Sequence, residues 1–396
     1  MARTVSEKFD QHVAWTSDEP IGLEVAFAEG PYIYLNDGRR IIDLISGIAV
    51  SSLGHRHPRV VEAIHNQVDR HLHVMVYGEF VQTAQAEFAA LLAAQLPPAL
   101  QVSYFTMSGT EANEGALKLA KKYTGRTRMI AFDHSYHGDT HGSLSVTGRR
   151  VYQDPFRPLL PDVTFLPFDD IEALKAIDET IACVITEPIQ GEGGIRVPKD
   201  AWMKALRDRC TETGALLIFD EIQTGFGRTG TMFAFEGFGV VPDIMSLAKA
   251  MAGGMPLGAF VSSEEIMRTF RNNPPLSHVT TFGGHPVSCA AAHATLKTLL
   301  EQDLPARAYK IGDIVRNKLV HPQIKEIRGR GAMLGMELQN ADITAKAVKY
   351  CLDRGVLLGW TLHSNSLVRI APPLTTPPDV LDEALTTILD SLENAS

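Results

Sequence analysis

The sequence predicts an α/β protein whose core is a mainly parallel β-sheet covered by helices on both faces. Five short apolar runs alternate with helical segments, which is typical of repeated βα units. The runs span residues 102–107, 129–132, 163–166, 182–185 and 216–219. Polar residues directly follow three of them, and ligands of such sheets bind at the carboxyl ends of the strands. The fold class therefore also predicts where the chemistry lies.

Composition excludes several classes of function. Of 396 residues, 45% are hydrophobic and 21% charged, and the net charge is −9, so no basic excess is present to neutralise nucleic acid or an acidic membrane. No window reaches the roughly 18 apolar residues of a membrane span. The first residues lack the apolar core of a signal peptide, and the four cysteines form no CxxC pair. We therefore expect a cytoplasmic enzyme with reduced thiols.

The remaining elements follow from local patterns. Before the alternating part, we predict a hairpin and then two helices, and after it two helices and a smaller α+β unit. The hairpin strands are residues 32–35 and 41–45, the early helices 59–68 and 84–96, the later helices 286–300, 305–319 and 345–354, and the late strands 324–328, 333–338 and 367–370. This organisation predicts a large domain at 58–290 and a small domain built from 1–57 and 291–396.

A phosphate site is predicted after the first apolar run. Ser108, Gly109 and Thr110 open a helical segment, which places backbone N–H groups, hydroxyls and a positive helix end together. A plain helix N-cap with a capping glutamate is an equally good reading. Because the segment lacks the lysine of a nucleotide-triphosphate loop, the phosphate site would suit a monophosphate.

Two further residues indicate the chemistry of the bound group. Asp220 ends the run 216–219, and Lys249 follows a short apolar run at 244–247. An isolated lysine is usually a solvated surface charge, but apolar surroundings depress the pKa of an amine and allow it to form a Schiff base. An acid beside a pyridine nitrogen keeps that nitrogen protonated. Tyr136, after the run 129–132, could stack on such a ring.

No metal site is expected. His134, His137 and His141 have suggestive spacing, but Gly138 and Gly142 argue against a regular helix that would present the three imidazoles together.

At this point the chain resembles the class III aminotransferases, the pyridoxal-phosphate enzymes of fold type I that include the ornithine, acetylornithine and 4-aminobutyrate transaminases. The resemblance spans nearly the whole chain. Its most specific blocks are residues 108–114, 187–194, 220–230 and 281–286. The resemblance implies a seven-stranded type of sheet in the large domain and pyridoxal 5'-phosphate as cofactor.

The resemblance also implies a role for each matching residue. Lys249 is the Schiff-base lysine, Asp220 binds the pyridine nitrogen, Gln223 contacts the ring hydroxyl, Tyr136 stacks on the ring, Ser108, Gly109 and Thr110 hold the phosphate, and Glu187 lies near the ring substituents. Thr281 is expected to reach the phosphate of a neighbouring subunit, which implies a homodimer with shared active sites.

The implied substrates are small amino acids and oxo acids. Arg369 would bind a substrate carboxylate and Glu192 could pair with it, which favours ω-amino donors, 2-oxoglutarate as acceptor and a ping-pong mechanism. The sequence departs from the ornithine, acetylornithine and aminobutyrate pattern at Asp139, where an arginine is common. The form Tyr-His-Gly-Asp-Thr is more similar to diaminopelargonate synthases and broad ω-transaminases.

Val50, which we expect at the substrate entry, stands in a segment where those synthases would carry tryptophans. Arg149, Arg150 or Arg157 could replace the missing arginine. Acetylornithine or ornithine is the leading donor. The alternatives are diaminopelargonate, lysine or 4-aminobutyrate, an isomerising relative, or a non-catalytic regulatory protein that kept the fold.

Overall fold

The structure, a computed structural model, describes residues 4–361 and 364–395. The strands are β1 (Val25–Glu29), β2 (Tyr32–Leu35), β3 (Arg40–Asp43), β4 (Val102–Thr106), β5 (Arg128–Phe132), β6 (Val163–Leu166), β7 (Ile181–Thr186), β8 (Leu216–Asp220), β9 (Ile244–Leu247), β10 (Gly258–Ser262), β11 (Ile324–Arg330), β12 (Met333–Leu338), β13 (Val356–Leu357), β14 (Gly359–Thr361) and β15 (Ser364–Ile370). The helices are α1 (Val5–His12), α2 (Ser46–Ala49), α3 (Pro58–Val68), α4 (Thr83–Ala93), α5 (Gly109–Thr124), α6 (His141–Ser145), α7 (Arg150–Gln153), α8 (Asp200–Thr213), α9 (Ala234–Phe238), α10 (Glu264–Met267), α11 (Pro286–Glu301), α12 (Leu304–Lys318), α13 (Ala341–Asp353) and α14 (Pro378–Ala395).

A seven-stranded sheet forms the centre of the protein and confirms the predicted fold class. Its strand order is β4-β10-β9-β8-β7-β5-β6. The pairs β5–β6, β5–β7, β7–β8 and β8–β9 are parallel. Strand β10 runs antiparallel to both β4 and β9. Every residue of β7 and β8 is buried, which explains why these strands read as continuous apolar runs.

Strand β10 was not predicted from the sequence. Only residues 248–257 separate it from β9, whereas a parallel crossover needs about a dozen residues or more. The connection is therefore too short for another parallel strand, and β10 starts at the edge where its parallel neighbours end. The residues just before β10 consequently lie beside those that follow the parallel strands.

Two smaller sheets lie outside the central one. β11, β12, β15 and β14 form an antiparallel sheet, and the N-terminal hairpin of β2 and β3 joins β1 and β13. In that second sheet Val356 pairs with Ile42, so strands from the two ends of the chain are hydrogen-bonded together. The division into a large domain and a small domain built from both termini stays a prediction. The predicted boundary between residues 290 and 291 lies inside the continuous helix α11.

Several other elements were missed or begin elsewhere than predicted. Helix α13 starts at Ala341, four residues before its predicted start at 345, because Asn340 caps it by accepting a hydrogen bond from Ile343 N. Strands β1, β13 and β14 and helices α1 and α14 had not been predicted. Among the described residues, no helix is both long and apolar enough to cross a membrane.

Candidate active site

A cavity of about 670 Å³ opens at the carboxyl ends of the parallel strands. Its volume lies within the range of roughly 300–1,000 Å³ of small-molecule sites. All but two of the predicted site residues line it, namely Val50, Ser108, Gly109, Thr110, Tyr136, Glu187, Glu192, Asp220, Gln223 and Lys249. The short segment before β10 closes one side. The sheet edge predicted to carry the chemistry therefore does gather these residues.

Lys249 enters the cavity from a strained stretch of backbone. It follows β9 and starts a 3₁₀ turn, and its φ of 46° lies in the left-handed region, which costs a residue other than glycine of order 1–3 kcal/mol. Burial lowers the pKa of Lys249, and Arg369 acts in the same direction, although Glu192 opposes the shift. A lowered pKa increases the neutral fraction of the amine, which is the nucleophilic form.

Asp220 forms the floor of the cavity and is held by three donors. Its Oδ2 accepts from His137 Nδ1 at 2.7 Å and from Asn113 Nδ2 at 2.8 Å, and its Oδ1 accepts from Ile222 N at 3.1 Å. The residue is only 4% exposed. The three donors hold this buried carboxylate in a fixed orientation at the end of β8.

The partners of Asp220 were not identified from the sequence. Asn113 is fully buried on α5 and also donates to His137 O at 2.8 Å. The His137 ring is buried as well, and its contact with Asp220 Oδ2 orients the aspartate. The available signal was an asparagine placed on the buried face of a helix, where a polar side chain needs a partner.

The N-terminus of α5, where the sequence predicts an anion site, lines the cavity. Ser108 caps the helix by accepting from Glu111 N at 3.3 Å, and Glu111 Oε2 accepts from Met107 N at 2.8 Å. The capping interpretation is therefore correct, and it is compatible with an anion site because the first-turn N–H groups of a helix have no intrahelical acceptors. A Cβ at Gly109 would lie 2.7 Å from the side chain of Ile222. A side chain at this position would therefore require Ile222 to shift.

The hydroxyl of Thr110 is tied to the loop that follows β5. It hydrogen-bonds Thr140 Oγ1 at 2.8 Å and Ser143 Oγ at 2.6 Å. Glu114 accepts from Thr140 Oγ1 at 2.5 Å and from Ser143 N at 3.1 Å. Gly138, with φ of +122°, lets this loop approach closely, since a Cβ there would meet Thr110 Oγ1 at 2.4 Å. The anion site and the loop bearing Tyr136 are thereby joined.

Glu187 follows β7 and connects two of the site loops. Its Oε1 accepts from Tyr136 N at 3.0 Å and its Oε2 from Gly191 N at 2.8 Å. Burial raises the pKa of Glu187 to about 7, with a smaller opposing effect of His137. The carboxyl group can therefore hold a proton near neutral pH, while Oε1 positions Tyr136 and Oε2 positions Gly191.

Glu192 and Arg369 form a buried ion pair at the cavity wall. Arg369 Nη1 donates to Glu192 Oε1 at 2.6 Å, and each residue is 5% exposed. With its amide oxygen turned towards these groups, Gln223 accepts from Arg369 Nη1 at 3.0 Å and from Lys249 Nζ at 3.1 Å. Arg369 does not line the cavity itself but lies behind Glu192, so a substrate carboxylate reaches it only if that pair opens.

Other predicted residues lie outside this cavity. Thr281 is exposed in the single chain and is absent from the cavity wall. The three arginines considered as replacements near Asp139, namely Arg149, Arg150 and Arg157, line a separate cavity of about 510 Å³. Their closeness to Asp139 in sequence was misleading, because the helical segment that carries them directs them elsewhere.

The arrangement fits a flat, phosphorylated ring with a basic nitrogen and an aldehyde. A helix N-terminus can hold the phosphate, the buried Asp220 can bind a protonated ring nitrogen, and the amine of Lys249 can react with the aldehyde.

Glu221, the residue after Asp220, is a buried carboxyl group whose pKa affects the stability of the protein. Its carboxyl group accepts from Thr224 Oγ1 and from the backbone N–H groups of Ala234 and Phe235, and burial raises its pKa from 4.5 to about 7. Because the folded pKa exceeds the unfolded one, stability from this group is complete below pH 4.5 and is lost as pH rises towards 7.

We expect Glu221→Gln to remove this pH dependence, since the amide does not titrate. The difference in unfolding free energy between the parent protein and the less stable variant should decrease by on the order of 3 kcal/mol as the pH rises from 4.5 to about 7. Urea unfolding at several pH values measures the difference, with the exposed Glu212→Gln as control. An unchanged difference across the window would show that Glu221 is ionised throughout.

Comparisons with known proteins show which proteins this chain is similar to. The family model for class-III aminotransferases matches residues 14–392. The chain is 42% identical to an acetylornithine aminotransferase of Methanopyrus kandleri over 99% of this chain and 98% of the relative. It is 44% identical to another from Methanosarcina acetivorans over 90% of this chain and 88% of the relative.

Solved structures of aminotransferases are also similar to this chain. An ornithine aminotransferase from Toxoplasma gondii, described with partial occupancy of PLP at its active site, superimposes with a TM-score of 0.90 at 30% identity, covering 98% of this chain and 94% of its own. An (S)-enantioselective omega-transaminase from Thermomicrobium roseum gives a TM-score of 0.92 at 29% identity, covering 99% of this chain and 98% of its own.

Proposed function

Because the chain belongs to the class-III aminotransferase family, we propose that it is a pyridoxal 5'-phosphate-dependent transaminase that moves the amino group of an ω-amino donor, of acetylornithine or ornithine type, to 2-oxoglutarate. The observation that carries the cofactor assignment is the convergence of Lys249, Asp220 and the N-terminus of α5 on one cavity. An anion site, a buried acid and a reactive amine are the three groups this cofactor needs.

Each residue has a defined part in the proposed reaction. Pyridoxal phosphate supplies an electron-accepting ring that stabilises negative charge at the donor carbon. Asp220 would hold a proton on the ring nitrogen, and Tyr136 would cover one face of the ring. The amine of Lys249 would link covalently to the aldehyde and, when free, would accept the proton of the donor carbon and donate it again. A keto acid reverses these steps, which makes the mechanism ping-pong.

The buried ion pair supports a site that accepts two kinds of substrate. While Arg369 pairs with Glu192, the wall is neutral and suits an amine-bearing chain end. When the pair opens, Arg369 can bind the carboxylate of 2-oxoglutarate. The names of the curated relatives favour acetylornithine among ω-amino donors. The alternative donors are diaminopelargonate, lysine, 4-aminobutyrate or a broad range of amines. The alternative that is not an enzyme is a regulatory protein with this fold and no turnover.

We further propose a homodimer with shared active sites. The segment that carries Thr281 exposes Leu276, Val279 and Phe282, which are 60%, 50% and 45% accessible in the single chain. Clustered apolar residues on a surface commonly mark an interface between subunits. Sedimentation at several protein concentrations tests this proposal, and a concentration-independent monomer contradicts it. The cytoplasmic location stays a prediction.

A donor panel tests the proposed activity. Purified protein loaded with pyridoxal phosphate should lose its visible absorbance band on addition of acetylornithine or ornithine and regain it with 2-oxoglutarate. Parallel double-reciprocal plots would establish the ping-pong order. No response to acetylornithine, ornithine or 4-aminobutyrate would refute the assigned donor class. A protein that gains no visible band with the cofactor would favour the regulatory alternative.

Arg369→Ala should chiefly raise KM for substrates that carry a carboxylate. Charge-assisted hydrogen bonds contribute about 1.5–3 kcal/mol, so we expect an increase of roughly 10- to 100-fold. Steady-state kinetics with 2-oxoglutarate and with an amine donor that has no carboxylate measure the effect. Because the variant leaves Glu192 buried without its partner, the double variant with Glu192→Gln is the control. Equal damage to the uncharged donor in the double variant would indicate a structural role for Arg369.

A further inference from the structure

A cavity of about 430 Å³ lies between the segment that follows β7 and the elements α12 and β11. It shares no lining residue with the active-site cavity. Within the described part of the chain, its charged lining residues are one acid, Glu326, and four arginines, namely Arg196, Arg316, Arg328 and Arg330. We name it the arginine cavity. The chain as a whole has a net charge of −9, so this local excess of positive charge is opposite in sign and attracts anions.

Two of the four arginines have no carboxylate partner. Among residues 4–361 and 364–395, no carboxylate oxygen lies within 4.0 Å of the guanidinium nitrogens of Arg196 or Arg316. Arg316 Nη2 donates to Gly329 O at 2.7 Å. Arg196 is exposed, and its side chain makes no hydrogen bond in the same part of the chain. Both guanidinium groups therefore keep N–H donors available for a ligand.

The other two arginines are held in place by acids. Arg328 Nη1 donates to Glu326 Oε2 at 3.1 Å, and its Nη2 donates to Glu337 Oε2 at 3.0 Å. Arg330 Nη2 donates to Asp200 Oδ1 at 3.1 Å. These contacts neutralise Arg328 and Arg330 and fix their positions. The uncompensated positive charge of the cavity therefore belongs to the two unpaired arginines.

Arg196 and Arg328 approach each other beside Gly194. A Cβ at Gly194 would lie 3.2 Å from Arg328 Nη2 and 3.9 Å from Arg196 Nε, and Arg328 Nε donates to Gly194 O at 2.7 Å. Burial lowers the pKa of Arg196, and repulsion by Arg328 acts in the same direction, although Glu337 opposes the shift. An anion placed against both guanidinium groups would offset their repulsion.

We propose that the arginine cavity binds a small polyvalent anion, of the phosphate or polycarboxylate class. A planar guanidinium group can hydrogen-bond two oxygens of such an anion at once. The volume of the cavity lies within the range of roughly 300–1,000 Å³ of small-molecule sites. Arg196 would hold the anion from the segment after β7, and Arg316 would hold it from α12, so the ligand would link two parts of the chain that lie far apart in sequence.

Calorimetric titration of the purified protein tests the proposal. The protein is first loaded with pyridoxal phosphate and freed of unbound cofactor, and then titrated at constant ionic strength with pyrophosphate and, separately, with tricarballylate. We expect saturable binding of at least one probe, with one site per chain. Tighter binding of pyrophosphate would identify a phosphate ligand, and tighter binding of tricarballylate a polycarboxylate. Because binding is the readout, the result does not depend on the proposed transaminase activity.

Substitutions of the two unpaired arginines locate the bound anion. Arg196→Gln and Arg316→Gln should each weaken binding about tenfold or more, because each removes a charge-assisted donor. The Arg196 variant breaks no side-chain hydrogen bond among the described residues, so it keeps the test valid if loss of the Arg316 contact with Gly329 O impairs folding. Arg268→Gln removes the same charge from an exposed arginine directly after α10 and should bind the probe within twofold of the parent.

Three results would overturn the proposal. The first is the absence of saturable binding of either probe at millimolar concentrations. The second is equal weakening in Arg196→Gln and in the control Arg268→Gln, which would show that the probe responds only to the net charge of the protein. The third is binding that Arg196→Gln retains and the double variant of Arg369→Ala with Glu192→Gln loses, which would place the anion in the active-site cavity.

Discussion

Lys249→Ala should lose turnover by at least about a thousandfold, because a positioned proton carrier contributes roughly 10²- to 10⁴-fold and the covalent link to the cofactor is lost as well. The variant should still bind pyridoxal phosphate, since the N-terminus of α5 and Asp220 are unchanged. Steady-state kinetics measures the first effect, and equilibrium dialysis of the cofactor measures the second.

Two controls are needed to interpret the Lys249→Ala experiment. Lys204→Ala removes an exposed lysine of α8 and should retain parental turnover. A small added amine should partly restore proton transfer in Lys249→Ala, because it replaces the missing base without restoring the covalent link. Turnover within tenfold of the parent in the absence of added amine would refute the role of Lys249. Lost cofactor binding would show that the lysine is needed mainly to hold the group.

The positions of residues that directly follow strands could be predicted from the sequence. Asp220 and Lys249 each follow a buried strand, and in a parallel sheet such residues share one edge whatever their separation along the chain. The helix start at Gly109 was likewise predictable from its own residues. For these positions, local pattern and fold class together determine the location.

Residues whose roles depend on side-chain partners distant in sequence could not be predicted in the same way. Asn113 and Asp220 are 107 residues apart, and His137 and Asp220 are 83 residues apart. A histidine after Tyr136 can bind a metal, face solvent or orient an acid, and only the packing of α5 against the sheet decides among these. The same limit explains the error over Arg149, Arg150 and Arg157. Sequence distance from Asp139 says nothing about the direction in which a loop leaves the sheet.

Strand β10 shows a further limit and its consequence for the site. Alternation of strands and helices predicts parallel neighbours, but the length of a connection decides whether a parallel crossover is possible. Since β10 is antiparallel, the segment before it returns to the edge where Lys249 lies, and Gly254 to Leu257 line the cavity. The active-site edge therefore gathers both the residues that follow the parallel strands and the residues that precede β10.

Asp220→Asn should reduce turnover by at least about a thousandfold, an effect of the size seen when a fixed electrostatic partner of a reacting group is removed. The substitution keeps the shape of the side chain but removes the negative charge that would hold a proton on the ring nitrogen. Without that proton the ring is a weaker electron acceptor, so the donor carbon gives up its proton more slowly. Single-turnover loss of the cofactor band measures this step directly.

A comparison of two substitutions at Asp220 separates charge from packing. Asp220→Ala leaves the Nδ1 of His137 without its acceptor, and the Nδ2 of Asn113 keeps only its hydrogen bond to His137 O. An unsatisfied buried donor costs about 1–3 kcal/mol. We therefore expect the alanine variant to lose both turnover and stability, and the asparagine variant to lose mainly turnover. Glu221→Gln changes the neighbouring buried acid, which does not line the cavity, and should retain turnover within a few-fold of the parent. Equal turnover of Asp220→Asn and the parent would show that the buried charge at the end of β8 serves the fold and not the reaction.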